Sequence, residues 1–106
     1  MAHTPFAAAA LAAVLALAAA PATAAPAVEP PEDFAKVSQV RAALKEMRRY
    51  VARQERETGD WRAMRANGVC HDALRRLEDY RTSQAYTPEL GEKLWQDCHD
   101  AYASVH

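Results

Sequence analysis

From position 34 onward the apolar residues recur at helical spacing. Val37, Val40, Leu44, Met47 and Val51 follow at intervals of 3, 4, 3 and 4, with Phe34 one turn earlier. Such steps hold side chains on one stripe of a 3.6-residue helix. Glu32 and Asp33 place negative charge where a helix N-terminus favours it, and Thr58-Gly59 offers a left-handed stop. The pattern predicts a first helix over about 32–57.

Asp60 is suited to cap a second helix over 61–82, with Ala63, Ala66, Val69, Cys70, Ala73, Leu74, Leu77 and Tyr80 on its apolar face. Trp61 lies opposite Cys70 on the helical wheel, and Asn67-Gly68 interrupts the pattern. A kink or break is expected there. Thr82 to Tyr86 reads as a polar connector. Thr87-Pro88-Glu89 then opens a third helix over 88–104, with Thr as cap, Pro at the first position and Glu in the first turn. Its apolar face holds Leu90, Leu94, Trp95, Cys98, Ala101, Tyr102 and Val105. The absence of Ile and the presence of only 3 Gly argue against strands. The fold class is therefore all-α: a small three-helix domain, in which a helical hairpin packs on the first helix.

Cys70 lies 14 residues before Gln84 and Cys98 lies 14 after it. In an antiparallel hairpin turning near Gln84, both thiols stand at similar height in the middle of their apolar faces. They are expected to form a disulfide, Cys70–Cys98, in an oxidising compartment. Its 29-residue loop is worth roughly 3.6 kcal/mol in the chain-entropy model.

The start of the chain has a different grammar. Ala7 to Ala20 is an uncharged apolar run, followed by Pro21 and the small-x-small triplet Ala22-Thr23-Ala24. This order reads as a secretory signal peptide over 1–24, cleaved after Ala24, even though Met1 to Phe6 contains no Lys or Arg. The run falls short of the roughly 20 apolar residues a membrane span needs, so no stable span is expected after cleavage. The expected destination is the periplasm or the medium. Residues 25–31 carry three prolines and read as an extended Pro/Ala-rich linker before a helical domain at 32–106.

Removing the signal alters the composition. The whole chain is 50% apolar with a formal charge of −1, but the 82 residues from Ala25 keep all 27 charges and are 41% apolar. A core that small benefits from a covalent staple. The charge is also uneven. Residues 41–65 hold eight Lys/Arg against four acids, whereas 85–106 hold Lys93 against Glu89, Glu92, Asp97 and Asp100. Arg41, Lys45, Arg48, Arg49 and Arg56 flank one side of the first helix's seam, where an anionic partner can dock. Together with Phe34, Tyr50, Trp61 and Trp95, these are the expected contact residues. The regular 3-4 seam also suits self-association through the first helix.

A repeat stands out: Cys70-His71-Asp72-Ala73 and Cys98-His99-Asp100-Ala101. Each His follows its Cys by about 100° of helix, so four ligands do not converge readily, and a disulfide removes both thiolates. His71 and His99, with His106, remain as candidate surface metal ligands. In this reading the first helix covers the side of the hairpin away from them. No C-x-x-C-H stands beside Met47 or Met64, so no haem or other cofactor is expected. No aromatic-interleaved basic motif points to nucleic acid. No G-x-S-x-G, H-E-x-x-H or phosphate-binding glycine loop points to catalysis. The leading expectation is a small exported, non-enzymatic protein-interaction or envelope module. The alternative is a periplasmic metal binder using His71 and His99.

Overall fold

A computed structural model describes residues 25–105. The expected signal peptide over 1–24 and the candidate ligand His106 lie outside the described residues. Three helices follow in chain order: α1 (Val37–Thr58), α2 (Trp61–Thr82) and α3 (Pro88–Ala103). Every pair of helices is in contact, and there is no strand among the described residues. None of these helices is long and apolar enough to cross a membrane.

The helix ends follow from local chemistry. Gly59 closes α1 in the left-handed conformation (φ 66°), its N–H donating to the Glu55 carbonyl. The Asp60 carboxylate caps α2 by accepting from the Arg62 N–H at 3.0 Å. The Thr87 hydroxyl accepts from the Leu90 N–H at 3.2 Å, with Pro88 opening α3 and Glu89 in its first turn.

The beginning of α1 departs from expectation. The helix starts at Val37, not at residue 32, and has no acid in its first turn. Asp33 is engaged in a local turn instead: its carboxylate accepts from the Ala35 N–H at 2.9 Å, and its carbonyl accepts from the Lys36 N–H. The Gln39 side chain reaches back to the Asp33 N–H at 3.1 Å. An Asp side chain competing for nearby backbone favours such a turn over the helix interior. Lys36 is then extended, and the helix begins after it.

The proline-rich segment is docked rather than free. The Ala25 N–H donates to the Val105 carbonyl, and the Tyr102 hydroxyl donates to the Pro26 carbonyl. Ala25, Val28 and Phe34 pack against the core. Phe34 leaves the expected α1 seam and meets Trp95 edge-on, with ring centroids 6.3 Å apart.

The α1 seam does form the centre of the core. Val40, Leu44, Met47 and Val51 are fully buried against Ala63, Cys70 and Leu77 of α2 and Cys98 and Tyr102 of α3. The disulfide Cys70–Cys98 crosses this core and joins α2 to α3, with Cα atoms 4.6 Å apart. α2 runs unbroken through Asn67-Gly68, so the expected break does not occur. The Asn67 amide donates to Glu55 at 2.7 Å, tying that turn of α2 to α1. Continuity leaves Trp61 on the outer surface at 59% exposure.

Candidate functional site

The cations of α1 divide into two groups. Arg41, Lys45 and Arg48 border a groove of about 570 Å³ between α1 and α2. His71, Leu74, Arg75 and Glu78 supply its other wall. On α1 these positions are four and three residues apart, and on α2 they recur at three, one and three. Each set therefore runs along one flank of its helix.

Charge in the groove is unbalanced. Arg41 pairs with Glu78 at 2.6 Å, and Arg81 reaches the other oxygen of the same carboxylate at 3.0 Å. These hydrogen bonds, first from Arg41 and then from Arg81, hold the Glu78 carboxyl below its ordinary range. Arg75 pairs with Asp72 at 2.7 Å, and Arg76 joins the same carboxylate at 2.9 Å. Asp72 is lowered correspondingly, chiefly by its hydrogen bond from Arg75. Lys45 and Arg48 have no carboxylate partner among the described residues. The Nε–H of Arg48 is buried without an acceptor. A buried donor left unmatched forfeits a hydrogen bond to water, at a cost of about 1–3 kcal/mol. An anion entering the groove would meet Arg48, the Lys45 ammonium and the exposed His71 side chain.

Other expected contact residues are placed elsewhere. Arg49 lies on the opposite flank of α1, beside Pro26, Glu46, Tyr50, Arg53 and Tyr102, and its Nε donates to the Lys45 carbonyl. Arg56 is exposed in the last turn of α1, outside the groove. Trp61 is exposed with the Arg62 guanidinium 5.0 Å from its ring centre, also outside the groove. Tyr50 is half-buried and meets Tyr102 edge-on at 5.4 Å. Trp95 is only 8% exposed, because Phe34 and His99 cover its ring. Its expected role as a surface contact is corrected: it is core.

The histidines are separated rather than paired. His71 borders the α1–α2 groove, whereas His99 stacks on Trp95 at 4.6 Å and lies beside Tyr102. Tyr102 in turn meets Tyr50 on the far flank of α1. α1 thus packs on the side of the hairpin that carries both histidines and stands between them, the reverse of the expected arrangement. Among the described residues, no group of three or more His, Cys, Asp or Glu is placed to hold a metal ion.

Spacing on α1 alone points to Arg41, Lys45, Arg48, Arg49 and Arg56, of which the first three line the groove. The contribution of α2 was missed, although His71, Leu74, Arg75 and Glu78 form a helical stripe visible in the sequence. What was lacking was the packing side, which decides whether that stripe faces α1 or solvent. Compared with known protein families, curated proteins and solved structures, the chain matches none of them.

Proposed function

We propose that this protein is a small exported interaction module that binds an anionic protein partner through the α1–α2 groove, without catalysing a reaction. The observation that carries the reading is the pair of cations without carboxylate partners in that groove, Lys45 and Arg48, with the Arg48 Nε–H buried and unmatched. Such a cluster repels itself in the free protein and is relieved by an opposite charge. Two features support export: the order of apolar run, proline and small-residue triplet over 1–24, and a disulfide of the kind that persists in oxidising compartments.

Site-directed photocrosslinking in the producing cell tests this reading. A photoreactive residue replacing Leu74, on the groove wall, is expected to give a discrete adduct that disappears on Lys45→Glu/Arg48→Glu. The same residue replacing Trp61 is expected to give none. Adducts from position 61 only, or adducts from 74 indifferent to the charge reversal, would overturn the groove as contact face.

A further inference from the structure

The groove has a shape that selects among anionic partners. From Arg41 to Arg48, and again from His71 to Glu78, the chain covers about 10 Å of helix axis. The cations of α1 therefore form a rail along the helix rather than one convergent cup, faced across the groove by Arg75 alone, and a single phosphate would meet only part of it. Leu74, half-buried, supplies an apolar patch on the facing α2 wall. The large exposed apolar side chains of the body, Trp61 and Met64, do not line this groove. A membrane-docking surface would set its apolar anchors beside its cations; Trp61 and Met64 neighbour Arg62 and Arg65 instead, and no such anchor stands beside Lys45 and Arg48 in the groove. The described body also offers no sheet edge, so an extended peptide laid here would find no backbone partner. A helix satisfies its own backbone, and the furrow between two packed helices accepts a third.

We propose that the α1–α2 groove receives an acidic amphipathic helix of a partner protein, its carboxylates meeting Lys45, Arg48 and Arg75 and an apolar side chain resting on Leu74. The inference rests on the reading of the groove as contact face and adds the secondary structure and pattern of what it contacts. Carboxylates three and four residues apart on the incoming helix match the cation repeat 41, 45, 48 on α1. Arg75 exchanges or shares its Asp72 partner, and Glu78, already engaged by Arg41 and Arg81, closes one end.

The test uses the purified, disulfide-intact protein and two labelled synthetic peptides of equal composition, each about 18 residues so that a helix is accessible. One carries Glu on a single helical face with Leu between; the other has the same residues scrambled around the helix. Fluorescence anisotropy is expected to show the facial peptide binding about tenfold more tightly than the scrambled one. Lys45→Glu/Arg48→Glu is expected to abolish that difference. Arg62→Glu/Arg65→Glu, an equal change of net charge outside the groove, is expected to alter facial-peptide affinity less than twofold. Circular dichroism should report gain of helix on binding. Equal binding of the two peptides, equal losses in the two double variants, or no gain of helix would overturn the inference. So would displacement of the facial peptide by inorganic pyrophosphate, or by anionic phosphatidylglycerol vesicles more strongly than by unlabelled peptide. If the peptides fail while groove-dependent photocrosslinks persist, the acidic-helix inference falls and the contact face stands; if both are indifferent to Lys45 and Arg48, both fall.

Discussion

Tyr102 and Tyr86 hold the segment before α1 in place. Each donates its hydroxyl to a carbonyl of that segment, Tyr102 to Pro26 and Tyr86 to Phe34. Replacing Tyr102 by Phe removes one such bond, so the loss should be about 1 kcal/mol, or roughly 4–8 °C in melting temperature for a domain of this size. Burial pushes both phenols above their ordinary range, assisted at Tyr86 by Asp33 and at Tyr102 by Tyr50 and Glu46. The neutral form is the one bound in the folded state. Stability from this source is therefore complete below about pH 10, where unfolded tyrosine begins to ionise, and is lost as pH rises through the elevated folded values. Urea unfolding midpoints should fall above that pH in the parent, and fall less steeply in Tyr102→Phe. Gly91 bears on the same tie, since a Cβ there would stand 1.9 Å from the Tyr86 hydroxyl oxygen. Gly91→Ala should cost about 1–3 kcal/mol by displacing Tyr86 from Phe34. In a Tyr86→Ala background the same substitution should cost far less, which a double-mutant cycle of thermal unfolding reads directly.

At the scale of elements, the well-predicted features are those set by adjacent residues. Asp60 and Thr87 cap α2 and α3 as expected, because a cap needs only a side-chain oxygen within three residues of its donor. The α1 seam was legible for the same reason: spacing of 3 and 4 suffices to place Val40, Leu44, Met47 and Val51 on one face. The start of α1 was less so. Asp33 had two uses for its carboxylate, a helix first turn or its own local turn, and the reach of Gln39 favours the second. α3's pattern places Trp95 on the apolar face, and that placement holds against its reading as a surface contact; what the pattern does not show is that Phe34, far earlier in the chain, covers its ring. The expected break at Asn67-Gly68 failed for a comparable reason. The bond from Asn67 to Glu55 and the packing of Ala66 and Cys70 support the turn from outside α2. Of the candidate contact face, one rail was legible on α1; its facing wall on α2 depended on which side of the hairpin α1 occupies.

For the whole molecule, the disulfide and the charge distribution have opposite effects. Cys70–Cys98 ties α2 to α3 through a core containing many alanines. Reduction should lower stability by roughly 3.6 kcal/mol, a large part of what a domain this small possesses, and a mild reductant should lower the melting temperature by well over 10 °C. The groove cations contribute no comparable support. Lys45 and Arg48 make no ion pair within the described body, whereas their neighbours Arg41 and Arg75 are paired with Glu78 and Asp72. Under the proposed function Lys45 and Arg48 serve a partner rather than the fold, and that proposal is open to one measurement. Thermal unfolding of Lys45→Glu/Arg48→Glu at low ionic strength should give a midpoint within about 3 °C of the parent or above it, since neither side chain has an ion pair to lose and the change relieves repulsion between them. A fall larger than that would show that the two cations support the helix packing itself, and would contradict the account.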